Sequence, residues 1–363
     1  MRVLIIFNHP APYKVKAFNE LSNYVDLTVL FERTAAKDRP SEFYDDNKYL
    51  FKPIFLKDGY VGKEGSVSSN VKKFIAKNYL DYDLIIMNGY SHLAEIKAIN
   101  YMHSHNIRFG LLINGGVIKS KECFLKKKYK SSLIKKAHYY ISPLRSADEY
   151  LKYYGANPDL IYSYVYSNCY ENEILKEPLS DKVELRKKYS LPLNKNIFVN
   201  ASQFIERKNN IQLMSLFKNR DDLLVLIGEG PDRDKYISYI KENKLTNVVI
   251  KSFMKKKELF EFLRACDVYI TLSKEDIFGH TTLEAFSNGL PVISSDKVVS
   301  SLEYIKDGYN GYIVHLDDEK DILDKMDKVS YQMSNNAIES ARNNTFENSA
   351  KSLYKVLEEV YGK

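Results

Sequence analysis

The chain has no tryptophan, and only three cysteines, ten prolines and fifteen glycines among its 363 residues. Cys123, Cys169 and Cys266 stand far apart and show no metal-ligand spacing. So sparse and odd a count excludes a disulfide-stapled scaffold and fits a reducing compartment, the cytoplasm. Glycine and proline at this level exclude a collagen-like or low-complexity chain. No apolar run is long enough to span a bilayer. The opening run M-R-V-L-I-I-F is followed by His9-Pro10 and is too short for a secretory leader. Charge of one sign is also modest. The 54 lysines and arginines against 47 acids leave a net +7, and no nucleic-acid partner is expected.

What is present is an alternation of short apolar runs with amphipathic stretches, the pattern of a doubly wound α/β fold. In the first block, strands are expected at Val3–Phe7, Asp26–Phe31, Leu84–Met87, Phe109–Ile113, Ala137–Ser142 and Leu160–Val165. Their apolar character suits a buried parallel sheet. Helices are expected around 14–22, 93–105, 131–136 and 147–154. The stretch Glu177–Asn196 holds two prolines and no strand pattern. Within it, Asp181 with Glu184 three residues on reads as a helix cap. A second block then has strands at Ile197–Ala201, Leu223–Ile227, Val248–Ser252, Val268–Leu272 and Pro291–Ser294. Two Rossmann-like domains are expected, 1–180 and 181–345, with an amphipathic helix over about 346–363 packing back on the first. Two such domains put a central cleft between the carboxyl ends of their sheets, where α/β proteins bind ligands.

The distribution of charge is more telling than its sum. Residues 117–137 hold eight lysines and one glutamate, with Leu125, Tyr129, Leu133 and Ala137 at helical spacing. Two readings are open: a basic amphipathic helix lying on an anionic membrane surface, or a solvated lysine face above an ordinary core stripe.

The most informative stretch runs from Ser273 to Gly311. A strand ends at Glu275 and Asp276, a tight turn passes through Phe278-Gly279, and a helix opens near His280–Thr282 with Glu284 in its first turns. Gly279 lets backbone approach a ligand closely, and the first N–H groups of a helix favour an anion. Acids on either side of a phosphate site can accept from hydroxyls, which is what a nucleotide sugar requires. Arg207 and Lys208 leave the first strand of the second block, where two adjacent cations can hold a diphosphate. Gly228-Glu229-Gly230-Pro231 follows the next strand. It lacks the third glycine of a dinucleotide fingerprint and reads as a tight turn.

In sequence order, these elements resemble the retaining glycosyltransferases of family four, also called group one. Q-F-I-E-R-K-N resembles the family's G-R-L-x-x-x-K-G element, and L-I-G-E-G-P its G-x-G-P turn. D-I-F-G-H-T-T-L-E-A resembles its E-x7-E motif, and N-G-L-P-V-I-S-S-D and E-Y-I-K-D-G-Y-N-G the signature that follows. The first block resembles the family only in its α/β pattern and in H-Y-Y-I-S-P-L-R-S-A-D-E-Y-L-K-Y-Y-G. The resemblance implies GT-B architecture. It implies that Glu284 accepts from ribose hydroxyls, that Asp276 binds hydroxyls of the donor sugar, and that Lys208 with Arg207 binds the diphosphate. The backbone at Gly279, His280, Thr281 and Thr282 would face a phosphate, with Gly228, Glu275 and Gln203 completing the donor-binding set. No metal or other cofactor is expected, since the family is generally metal-independent.

The chain departs from the family at four places. Asp276 is one methylene shorter than the family's glutamate, although Glu275 adjoins it. Gln203 replaces an arginine. Pro10-Ala11-Pro12-Tyr13 replaces a glycine-rich loop. Asn114-Gly115-Gly116 stands where many relatives carry a histidine, so the Asn114 amide or a glycine N–H is expected to bind the sugar or acceptor there. Asp81-Tyr82-Asp83 and Asp232-Arg233-Asp234 match a D-x-D pattern, but capping or surface roles are expected of them. The seven histidines show no metal spacing beyond His103/His105, and His9 is a candidate acceptor-side residue.

The expected function is retaining transfer of a hexose-type sugar, from a nucleotide diphosphate sugar with UDP the expected carrier, to a hydroxyl. The acceptor would be a glycan or a polyprenyl-diphosphate-linked oligosaccharide in capsule or other surface polysaccharide synthesis, with the enzyme peripheral on the inner membrane face. Two alternatives stand beside it: a nucleotide-sugar epimerase of the same fold, and a non-catalytic sugar-binding protein.

Overall fold

Both faces of the central strands are covered by helices, which is why their apolar runs stand out in the sequence. The computed structural model describes residues 1–36, 41–44, 47–56, 70–116, 118, 121–276 and 279–363, with Ser41 and Glu42 described by backbone alone. Phe278 of the expected turn, and residues 117, 119 and 120 of the basic segment, lie outside them. The chain divides into two compact units, residues 1–167 with 346–363, and residues 168–345.

The first unit holds a seven-stranded parallel sheet. Its strands are β1 (Arg2–Phe7), β2 (Asp26–Phe31), β3 (Lys52–Phe55), β4 (Leu84–Asn88), β5 (Gly110–Leu112), β6 (Tyr139–Ser142) and β7 (Ile161–Ser163), in the spatial order β3-β2-β1-β4-β5-β6-β7. The register sets Val3 beside Leu27 on one side and Leu84 on the other. Val3, Ile5 and Phe7 meet Phe18, Val29 and Ile86 in one core cluster. The helix Phe346–Tyr361 packs on the helix Pro12–Leu21 and adds Leu353, Val356, Leu357 and Val360 to that cluster. These positions fall at i, i+3, i+4 and i+7, one apolar stripe of a helix.

The second unit holds a six-stranded parallel sheet: β8 (Ile197–Ala201), β9 (Leu223–Ile227), β10 (Val248–Lys251), β11 (Val268–Thr271), β12 (Val292–Ser295) and β13 (Gly311–Val314), in the order β10-β9-β8-β11-β12-β13. Phe198, Leu226, Ile270, Ile293 and Val314 form its core with Phe204 and Leu213. Each sheet therefore begins at an inner strand, grows to one side, and then resumes on the other. That reversal lies between β1 and β4 in one unit and between β8 and β11 in the other, and loops leaving the two strands part there.

The differences from expectation have physical reasons. Strand β3 escapes the sequence pattern because it is half-buried, carries Pro53, and lies at a sheet edge, where proline is tolerated. Strand β13 is also an edge. Its Gly311 is needed because a Cβ there would fall 2.0 Å from the Val292 carbonyl oxygen. The helix expected at 131–136 runs from Phe124 to Ile134. The division falls after Ser167 rather than near 180. Residues beyond it bond into the second unit: Cys169 bridges to Thr345, the Leu175 N–H donates to the Ser287 carbonyl at 2.9 Å, and Lys256 pairs with Glu173 at 2.6 Å. Asp181 accepts from the Val183 N–H at 2.8 Å, so half the expected cap forms, while Glu184 turns to Lys187 at 3.0 Å.

Candidate functional site

In the second unit, the chain leaving β8 buries Phe204 and then makes a single 3-10 turn, Glu206–Lys208. Asn209 ends that turn at φ 58°, a left-handed conformation that Asn tolerates better than most side chains. The reversal sends the Lys208 ammonium toward the loop beyond β11. There the backbone fixes Asp276. Its N–H donates to the Lys297 carbonyl at 3.0 Å, and its own carbonyl accepts from the Val299 N–H at 2.9 Å. The Asp276 carboxylate forms an ion pair with Lys208 and accepts from the Gly279 N–H at 3.1 Å. Burial pushes that carboxyl up, but the Lys208 ammonium, the hydrogen bonds from Lys208 and Gly279, and Arg207 together hold it below the usual carboxylate range. Arg207 donates to the Glu275 carbonyl at 3.0 Å, and its side chain is exposed.

Gly279 adopts φ 43°, and an added Cβ would lie 2.6 Å from Val298 Cγ1 and 2.7 Å from Ser300 Oγ. No other residue fits this turn without displacing those neighbours. Its carbonyl accepts from Ser300 Oγ at 2.9 Å, and Thr282 Oγ1 shares a hydrogen bond with Ser301 Oγ at 2.9 Å. The helix Thr281–Ser287 starts here and carries Glu284, half-buried, in its first turn. Beneath it, the buried Tyr269 of β11 donates to the Ala201 carbonyl at 3.1 Å and lies against Thr281. Burial first pushes this phenol up, and Glu284 and Asp276 add to the effect.

The structure thus brings Arg207, Lys208, Glu275, Asp276, Gly279, Thr281, Thr282 and Glu284 to the ends of two adjacent strands. Gln203, half-buried, and Gly228 stand on the β8–β9 side. A Cβ on Gly228 would fall 2.0 Å from the Ser202 carbonyl oxygen, so this glycine serves the close approach of two loops. His280 is held through its carbonyl, which accepts from Asn168 Nδ2 at 2.6 Å.

Asn114 belongs to the first unit, two residues past β5. Its Oδ1 accepts from Lys14 Nζ at 3.2 Å and from the Tyr164 hydroxyl at 3.4 Å, and its Nδ2 donates to Asn88 Oδ1 at 2.9 Å. Lys14 is only 6% exposed, with its ammonium 4.7 Å from the Tyr166 ring centre. Burial pushes this lysine down to about 7. His9 Nδ1 and the Tyr44 hydroxyl are 3.1 Å apart. Of the D-x-D decoys, Asp83 pairs with Arg2 at 2.8 Å and Asp232 stands at the start of the helix Arg233–Glu242.

Among the described residues, one group of side chains comes close enough to hold an ion: Glu32, His92 and Glu95, with donor atoms within 4.8 Å of one another. Glu95 Oε2 accepts from the His92 N–H at 2.9 Å in a helix cap, and its Oε1 lies 3.4 Å from His92 Nδ1. The hydrogen bond to Glu95 leads in pushing the imidazole up, against burial, with Arg33 a further nearby cation. The His92 imidazole and the Arg33 guanidinium thus stand near the two buried carboxylates.

Sequence reasoning missed Lys14, Asn88, Tyr164, Ser300 and Glu32. A lysine in a first helical turn ordinarily reads as solvated, and no local signal joins positions 14 and 114. The basic segment also departs from an ordinary core stripe. Leu133 is buried, but Phe124, Leu125 and Tyr129 are 74%, 71% and 52% exposed. Among the described residues, no helix is long and apolar enough to cross a membrane.

Residues 181–345 match the profile of the family described as glycosyl transferases group 1. N-acetyl-alpha-D-glucosaminyl L-malate synthase of Bacillus anthracis is 26% identical over 174 residues, 46% of this chain and 45% of that protein. An O-antigen biosynthesis glycosyltransferase of Escherichia coli is 25% identical over 146 residues, 40% of each chain. The chain thus spans less than half the length of these relatives. A solved structure of Anabaena HepE in complex with UDP superimposes with a TM-score of 0.74 at 15% identity, covering 100% of both chains. That likeness extends the shared fold to the first unit.

Proposed function

The second unit belongs to the glycosyl transferases group 1 family and both units have the GT-B architecture; on that premise we propose that the chain is a retaining glycosyltransferase using a nucleotide diphosphate sugar, with UDP the favoured carrier. The observation that carries the reading is the convergence of Lys208, Asp276 and Glu284 on the carboxyl ends of β8 and β11. Glu284 accepts from the ribose hydroxyls. Lys208 and Arg207 meet the diphosphate, and Asp276 meets hydroxyls of the sugar. HepE, whose solved structure contains UDP, supports the choice of carrier.

In the proposed reaction, the bond between the anomeric carbon and the terminal phosphate oxygen breaks, and its electron pair leaves with the nucleoside diphosphate. The acceptor oxygen bonds the same carbon from the same face. The departing phosphate takes the acceptor's proton, so no strong protein base is required. Lys208, Arg207 and backbone N–H groups at the start of the helix Thr281–Ser287 stabilise the leaving charge in place of a metal. The first unit receives the acceptor, a glycan or lipid-linked glycan. The exposed Phe124, Leu125 and Tyr129, beside exposed Lys126 and Lys128, fit a peripheral contact with an anionic lipid surface.

Turnover of a panel of nucleotide sugars by the full chain tests this reading. One donor should release its nucleotide, and Glu284→Ala and Lys208→Ala should each slow release at least about tenfold. Full activity in both variants would overturn the site. A donor epimerised without any acceptor would overturn transfer.

A further inference from the structure

The Lys14 amine is an anomaly in the first unit. It lies on the first turn of the helix Pro12–Leu21, almost wholly out of solvent, among Phe7, Phe18, Leu112, Tyr164 and Tyr166. Burying an amine is unfavourable, and nothing in the packing demands one: a methionine would fill the same volume. Groups that oppose the fold in this way concentrate at functional sites. Lys14 also lies beside the ends of β1 and β5, the two strands that flank β4.

Its polar contact is specific. Lys14 Nζ reaches Asn114 Oδ1 at 3.2 Å, and the Tyr164 hydroxyl donates to the same oxygen at 3.4 Å. On its other side, Asn114 Nδ2 donates to Asn88 Oδ1 at 2.9 Å. An amide has two N–H donors and one oxygen. Two donors on the oxygen and one acceptor on the nitrogen fix which way the amide faces. Asn114 is half-buried, and its second N–H bonds no acceptor among the described residues.

We propose that Lys14, helped by Tyr164, is a positioning residue that locks the Asn114 amide so that its second N–H is presented to a hydroxyl of the acceptor that the first unit receives. This rests on the transferase reading and specifies how the first unit takes part. A preset neutral donor acts here, aimed before the substrate arrives. Without Lys14, the amide can turn over and present its oxygen, which would meet the same hydroxyl with a different hydrogen-bond polarity.

The test uses the full chain and the nucleotide sugar that the wild type turns over fastest. Lys14→Met should lower kcat about tenfold or more, leave the Kd for UDP within about twofold, and leave Tm unchanged or raised near pH 7. Asn114→Ala should lower kcat similarly, and the double variant should be no slower than Asn114→Ala alone, because the two act through one group. A purely structural lysine would instead lower Tm. Should Lys14→Met fail to fold, Tyr164→Phe, which removes one hydroxyl from the same oxygen, is read in its place. Multiplying losses in the double variant, or a kcat within twofold of wild type in Lys14→Met, would overturn the proposal while leaving transfer intact. A wild type inert towards every nucleotide sugar would remove both.

Discussion

At the scale of the residue, Lys14 shows how environment rather than identity sets behaviour. An exposed lysine titrates near 10.5, but burial pushes this one down to about 7. Asn114, Tyr164 and Tyr166 face it, and burial is the cause of the shift. Between these two pH values the unfolded chain binds a proton that the folded chain rejects, so stability must rise with pH there, by at most ~1.4 kcal/mol per pH unit. Methionine at this position removes the titration. In urea unfolding from pH 7 to pH 10, the stability of Lys14→Met relative to wild type is therefore expected to be greatest near pH 7 and to shrink steadily above it. Parallel curves for the two proteins would show that the amine is solvated. Asp276 is the contrasting case. It is largely buried too, but Lys208 faces it, and the pairing outweighs the burial. The same logic explains what a sequence can reveal. Arg207, Lys208, Asp276 and Glu284 are legible because each sits in a loop or first turn beyond an apolar strand, and charge there has few other uses. The contact between Lys14 and Asn114 joins residues 100 positions apart, and only the closing of the sheet creates it.

At the scale of the element, burial on both faces made most central strands readable, while β3 went unread because a half-buried strand carries half the pattern, and β13 because it is only four residues long and opens on Gly311. The helix Phe124–Ile134 was read too far along the chain for a related reason. Its second half buries Leu133 and Ile134, but its first half presents Phe124, Leu125 and Tyr129 to solvent. A helix that exposes its apolar residues among lysines has the make-up of an interfacial helix rather than a core helix. Lys130 takes no part in that surface, being paired with Glu122 at 2.6 Å, and Lys127 lies over the Tyr153 ring at 3.7 Å. Vesicles containing anionic lipid should therefore bind the protein, with binding that weakens as salt rises, at ~1 kcal/mol per lysine near the surface. Neutralising Lys126–Lys128 should weaken binding about tenfold or more, and Leu125→Ser should weaken it without changing the salt dependence. Equal binding of all variants to neutral and anionic vesicles would dispose of this surface.

At the scale of the whole molecule, the first unit is completed from both ends of the chain. The polypeptide leaves it after Ser167, builds the second unit, and returns at Phe346. The returning helix supplies Leu353, Val356, Leu357 and Val360 to the cluster that contains Val3, Phe18 and Val29. Each such side chain contributes ~1.5–3 kcal/mol when buried, against a total of ~5–15 kcal/mol for an ordinary domain. Removing residues 346–363 should therefore take away most of the stability of the first unit. The second unit keeps every strand and its own core, from Phe198 to Val314. Hydrogen exchange separates the two outcomes. In a chain ended at Thr345, amides of β1, β2 and β4 should lose protection by orders of magnitude, while those of β8, β9 and β11 should keep theirs, and UDP should still protect the second unit. Loss of protection spread evenly over both sheets would mean that the units fold as one. Protection retained in β1 would mean that the helix only covers a core already stable without it.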